Sequence, residues 1–191
     1  KYVIVSAPGR DEKHGVKITD HLLNISNEEH LKGEKITTAQ SKKAVLTKFD
    51  SILKDLGIED KTFLQDLEKD LETKLEGDKR EAFLASRGEA YNARIIADYF
   101  NKIGIKTKLL LPEDIGFLVS DDYLSAKVLE QSYKNLEKLK DEKDVCLIPG
   151  FYGKTKSGDI AVLSRGGSDL TGGEIAYSIN ATLYENWSDI D

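Results

Sequence analysis

The 191-residue chain is 39% hydrophobic and 32% charged, with 28 basic against 34 acidic side chains and a formal net charge of −6. This is the composition of a water-soluble globular protein, neither disordered nor fibrous, and the acidic balance argues against a nucleic-acid partner, which needs clustered positive charge. No apolar run approaches the roughly 20 residues of a bilayer span, no signal peptide is visible, and the one cysteine, Cys146, suits a reducing cytoplasm.

The apolar run "YVIVSA" (2–7) reads as a strand covered on both faces, as in a parallel sheet. A helix is expected from about 17 to 25, with Ile18, Leu22 and Ile25 on one side, and then loop over about 26–38. Apolar residues at helical spacing predict helices over 39–56, 61–76 (stopped by Gly77) and 79–102. "TKLLLP" (107–112) reads as a strand, "GFLV" as a short extended piece, and 122–140 as an amphipathic helix through Leu124, Val128, Leu129, Leu136 and Leu139. "VCLIPGF" (145–151) is the third strong buried strand, with "DIAVLS" (159–164) pairing nearby after a turn. A helix over 169–181 and a final strand, "TLYENW" (182–187), complete the order. Strands alternating with helices predict an α/β protein: a three-layer αβα sandwich with a mainly parallel sheet. Ligands of such sheets sit beyond the carboxyl ends of the strands, so the loops after 7, 150, 164 and 187 are where a site is expected. Residues 1–191 read as one partial domain: the chain has no Met and opens and closes abruptly, as an internal piece of a longer protein would.

Three stretches carry candidate chemistry. In "LSRGGSDLTGGEIA" (163–176) a strand runs through two glycines into a helix. Ser168 or Asp169 could simply cap that helix. Arg165, four residues before Asp169, suggests something else: a guanidinium grips a carboxylate bidentately, helix N–H groups attract anions, and a nearby acid suits an ammonium. Such a set fits a zwitterion better than a phosphate. In "ASRGEAYNARIIADYF" (85–100) Glu89 sits mid-helix, where a solvated carboxylate is the ordinary expectation. In "VSAPGRDEKHGVKITD" (5–20) Ser6 ends a strand and Thr19 opens a helix. His14, His21 and His30 have no metal-ligand spacing and are expected at the surface, and Cys146 is expected to be buried and inert. Trp187 and Phe151 could be core or ligand-facing.

Together, "IPGFYGKTKSGDIAVLSRGGSDLTGG", "YENWSDID", "SRGE" followed by "YN", and "VSAPG" followed by "TD" resemble, in order and rough spacing, the conserved blocks of the aspartate kinases of the amino acid kinase superfamily. Ser164 stands where that family has glycine, and the aromatic after Glu89 is shifted by one place. The resemblance implies an ATP-dependent enzyme that phosphorylates the side-chain carboxylate of L-aspartate to 4-phospho-L-aspartate, with Mg2+ bound through the ATP phosphates. Arg165 and Asp169 would be the catalytic pair. Substrate would be held by Ser6, Thr19, Glu89, Phe151, Arg165, Gly166, Gly167, Ser168 and Asp169, and the nucleotide by Trp187, Ser188 and Asp189. No protein metal site is implied, and the full-length protein would be a homo-oligomer. The family's lysine-bearing "KFGGSS" loop and its C-terminal regulatory domains are not in this sequence, so the isolated chain is expected to turn over poorly. A glutamate or acetylglutamate kinase, or a non-catalytic aspartate-binding fragment, are the rival readings.

Overall fold

A computed structural model describes residues 1–164 and 166–187. Its frame is a parallel sheet in which β3 (Val145–Pro149) lies between β1 (Tyr2–Val5) and β2 (Thr107–Leu109). Val3 pairs with Leu147, Ile4 with Ile148, and Leu109 also with Leu147. Because side chains alternate along a strand, this register sorts the apolar run into two faces. Val3, Val5, Leu109 and Leu147 pack with Ala93, Ala97 and Phe100 of one helix layer. Tyr2, Ile4 and Ile148 pack with Leu136, Leu139 and Ile175 of the opposite layer. Both faces are therefore apolar and both are covered, which explains a strand sequence without polar alternation. The expected αβα arrangement is present.

The first layer contains α1 (Ile18–Ser26), α2 (Thr38–Leu56), α3 (Phe63–Leu71) and α4 (Gly77–Lys102). α2 starts at a reciprocal cap: Thr37 Oγ1 accepts the Gln40 N–H, and the Gln40 side chain accepts the Thr37 N–H. It stops at Gly57, whose φ of 60° is the left-handed conformation that glycine adopts without strain. α4 is the spine of the layer. Residues 84–91, "LASRGEAY", are buried without interruption, so this helix is enclosed on all sides rather than amphipathic. Phe49, Phe63 and Tyr91 join α2, α3 and α4 through tilted and edge-on ring contacts at 5.1 to 6.3 Å.

The opposite layer contains α6 (Glu130–Leu136), extended by a 3-10 turn over Glu137–Asp141, and α7 (Gly167–Ser178). An antiparallel pair, β4 (Tyr152–Lys154) and β5 (Ile160–Val162), lies beside the sheet, and α5 (Pro112–Ile115) precedes it in the chain.

Several expectations are corrected. Residues 122–129 are not helical, because their backbone is used elsewhere: Ala126 N–H bonds to Val162 O, Val162 N–H to Tyr123 O, and Leu129 N–H to Leu118 O. The strand expected to run to 112 ends at Leu109, since Pro112 opens α5 and Gly116, at φ 76°, closes it. α3 ends at Leu71 rather than near 76; Leu75, 38% exposed, has no core to continue into, and Gly77 begins α4 instead of ending α3. Residues 182–187 form no strand; Tyr184 lies against α7, its hydroxyl donating to Asp169 O at 3.1 Å. His21, expected at the surface, is fully buried.

The loop between β1 and α1 is closed by one carboxylate. Asp11 Oδ1 accepts the N–H groups of Lys13 and His14, and Oδ2 accepts those of Val16 and the His21 ring. Burial by itself would raise the Asp11 pKa, but the hydrogen bonds from His21 and the loop backbone outweigh it and hold it at about 2. A carboxyl depressed from its unfolded value of 3.8 stabilises the fold above that pH, and the contribution disappears as pH falls from about 4 to 2. We expect about 2 kcal/mol to be lost across that window in denaturant titrations, at about 1.4 kcal/mol per pH unit. Asp11→Asn should be less stable at pH 5 and should lack this part of the acid dependence.

Candidate functional site

Ser6, Thr19, Glu89, Phe151, Gly166, Gly167, Ser168 and Asp169 line one cavity of about 230 Å3. Residues up to 163 positions apart in the chain meet there because β1 and β3 are adjacent and parallel, so their carboxyl ends open on the same side. Ser6 follows β1, Phe151 follows β3, and Gly166 follows the turn after β5. Among the substrate residues expected from the sequence, Arg165 lies outside the described residues. The same is true of Ser188 and Asp189 of the expected nucleotide set. Trp187 is described, is 86% exposed, and does not line the cavity.

Two helices begin at this cavity. Thr19 is in the first turn of α1, and Gly167, Ser168 and Asp169 form the first turn of α7. Neither helix has a side-chain cap at its N-terminus. Asp169 and Ser168 are therefore not the caps that the sequence allowed; the cap is Gly166, at φ 77°. The Ile18 N–H is taken by Gly9 O, but the other first-turn N–H groups and the positive ends of two helix dipoles favour an anion here. Close packing holds the arrangement. A Cβ on Gly150 would stand 2.7 Å from Ser168 Cα, and one on Gly167 would stand 2.7 Å from the Phe151 ring. Phe151 itself has φ 75°, a conformation costly for a bulky side chain and characteristic of sites that surrounding structure holds in place.

The opposite demand comes from Glu89. It is 5% exposed, and its Oε2 has no hydrogen-bond partner among the described residues. The solvated carboxylate expected from sequence is thus a buried one. Burial pushes its pKa up to about 8, with the Ala7 N–H and the Arg87 guanidinium pulling only part of the way back. Its neighbour Gly88 allows this depth: a Cβ there would be 2.7 Å from Ala7 Cβ. A buried carboxyl with one oxygen unpartnered is costly unless a ligand completes it, and an ammonium group does so. The cavity thus combines a feature that suits an anion with one that suits a cation.

A larger cavity, about 360 Å3, lies between the 11–14 loop and α2, with Lys43 and Lys48 on its rim. Its one buried acid, Asp11, already has its hydrogen bonds filled. The smaller cavity holds the unsatisfied group and the helix ends, so the chemistry is assigned there. Among the described residues no three His, Cys, Asp or Glu side chains are grouped to hold a metal ion, and no helix is long and apolar enough to cross a membrane. The His21–Asp11 pair is not legible in the sequence, where His21 is only a histidine two residues past Thr19.

This fold and these strand-end loops are those of the amino acid kinase family, whose model matches residues 1–191, and the chain belongs to that family. Within it, the chain is 36% identical to Aspartokinase 3 of Bacillus subtilis over 196 residues, covering 100% of this chain and 42% of that protein. It is also 36% identical to the chloroplastic Aspartokinase 1 of Arabidopsis thaliana over 115 residues, 57% of this chain and 20% of that one. The crystal structure of Clostridium acetobutylicum aspartate kinase superposes with a TM-score of 0.77 at 30% identity, over 100% of this chain and 40% of that one. Escherichia coli aspartokinase III, in complex with lysine and aspartate, shares the fold at a TM-score of 0.64 and 17% identity, over 95% of this chain and 41% of that one. The chain spans less than half the length of each of these proteins.

Proposed function

We propose that this chain is the aspartate-binding part of an aspartate kinase, an enzyme that transfers the γ-phosphoryl of ATP to the side-chain carboxylate of L-aspartate. A carboxylate oxygen attacks the γ-phosphorus, the bond to the ADP oxygen breaks, and 4-phospho-L-aspartate forms. The observation that carries the reading is the pairing, in one cavity, of a buried Glu89 carboxyl whose Oε2 has no partner among the described residues with two helix N-termini that have no side-chain cap. An amino acid with a free amine supplies both partners.

In this assignment Arg165 clamps the α-carboxylate, supported by Ser168 and the Gly166 and Gly167 backbone. Glu89 and Asp169 receive the ammonium, and Phe151 walls the pocket. Ser6, Thr19 and the start of α1 face the reacting carboxylate, where N–H groups offset the charge of an incoming phosphoryl. Phosphoryl transfer asks little covalent help from the protein, so positioning and charge compensation are the work of these residues. Mg2+ on the ATP phosphates would neutralise charge on the transferring group when bound. Trp187, with Ser188 and Asp189, is assigned to the nucleotide, and the exposed indole offers a face on which a base can stack. The whole protein is proposed to act in the cytoplasm, as a homo-oligomer, in amino-acid biosynthesis.

Titration calorimetry of the chain with L-aspartate tests the assignment. Arg165→Ala should weaken binding by about 1.5–3 kcal/mol, the value of a charge-assisted contact. Unchanged affinity would remove Arg165 from the site. N-acetylaspartate, which has no ammonium to satisfy Glu89, should not bind, and binding equal to that of aspartate would favour the acetylglutamate-kinase alternative.

A further inference from the structure

A chain of buried side chains links the loop before α1 to α2. His21 is fully buried, with Nε2 2.8 Å from Asp11 Oδ2 and Nδ1 3.0 Å from Ser41 Oγ. Ser41, also fully buried, accepts from Asn24 Nδ2 at 2.9 Å, and Asn24 donates as well to Ile36 O and accepts the Leu31 N–H. Counting donors orders the protons. Asn24 donates to Ser41, so the Ser41 hydroxyl is free to donate to His21 Nδ1, and His21 donates from Nε2 to Asp11. With the Nε2–H tautomer every atom along the line is satisfied.

The two ends of this line matter to the cavity. The loop that leaves it at Ser6 and returns at Thr19 is the loop that Asp11 ties together. His21 lies two residues past Thr19, about 200° round a helix at roughly 100° per residue. Thr19 thus faces the cavity from the front of the first turn, while His21 braces the turn from behind. Ile18 N–H to Gly9 O, at 3.1 Å, is the other tie on that turn.

We infer that His21 is a positioning residue for the cavity: with Asp11 and Ser41 it holds the first turn of α1 against α2 and so sets the place of Thr19. The residue touches no substrate, and its effect on binding rests on the aspartate reading above.

His21→Leu keeps the apolar volume and removes both hydrogen bonds. Amide hydrogen exchange of the chain should quicken at least tenfold at Asp11, Lys13, His14, Val16 and Ile18, with the amides of β3 unchanged; unchanged exchange in the loop overturns the inference. Calorimetry with L-aspartate on wild type, Thr19→Ala, His21→Leu and the double variant supplies the second reading. Each single change should weaken binding about tenfold, and the double change no more than either, because a displaced Thr19 has nothing left to lose. If the losses multiply, His21 serves stability alone and the inference falls. If wild type binds no aspartate, the functional reading fails and hydrogen exchange decides the inference by itself. Should His21→Leu not fold, Ser41→Ala, which removes only the hydroxyl, takes its place in both measurements with the same expected results.

Discussion

Binding of L-aspartate at pH 7 should release about one proton. With a pKa of about 8, Glu89 is mostly protonated in the empty cavity and ionises when an ammonium group arrives beside it. Affinity should therefore climb as pH rises toward 8, approaching tenfold per unit on the acid side, and level off above it. Calorimetry in buffers of different ionisation enthalpy counts the proton. Glu89→Gln fills the same space without a charge. It should abolish the proton release, flatten the pH profile between 6 and 8, and at pH 8 cost about 3 kcal/mol, the scale of losing one partner of a buried charged pair. The sign is opposite for the fold. A carboxyl whose pKa is raised stabilises the protonated form, so this group's contribution is present at low pH and is lost as pH rises from about 4.5 to 8. Glu89→Gln should thus be at least as stable as wild type at pH 8 while binding less well. A pH-independent wild-type affinity would remove Glu89 from the ammonium site.

The largest loss of stability is expected at Phe63. It is fully buried at the start of α3, 5.8 Å from the Phe49 ring and 5.1 Å from the Tyr91 ring, with the Arg94 guanidinium 5.2 Å from its centre. Phe63→Ala should cost about 3–5 kcal/mol through lost burial and the cavity left between three helices. For a chain of this length that lowers the melting temperature by roughly 10 °C. The same truncation at the half-exposed Leu75 should change stability by less than about 0.5 kcal/mol. Equal effects at the two positions would mean that α3 is not docked as described.

Local rules carried much of the fold into view. The apolar runs at 2–7 and 145–151 are legible as buried parallel strands because a sheet covered on both faces has no use for polar alternation. α2 is legible through its apolar spacing, which depends on neighbours within a few residues. The same rules misread 122–129. Leu124, Val128 and Leu129 have helical spacing, but the 118–120 segment and β5 take hydrogen bonds from that backbone, and the β5 partner lies more than 30 residues away in the chain.

The site divides in the same way. By itself the sequence singled out Ser6, Thr19, Glu89, Phe151 and residues 166–169, which line one cavity, because motif order along the chain is a one-dimensional property. It also determined on which side of the sheet to look, because parallel strands point their carboxyl ends one way. Only the tertiary structure decided that Glu89 is buried and not solvated, that Gly166 and not Asp169 caps α7, and that His21 is internal. Burial and protonation depend on what other segments deliver to a residue's surroundings. Glu89 shows the reason most plainly: its carboxyl is buried where Ala7 packs closely against Gly88, and Ala7 is 82 residues away in the chain.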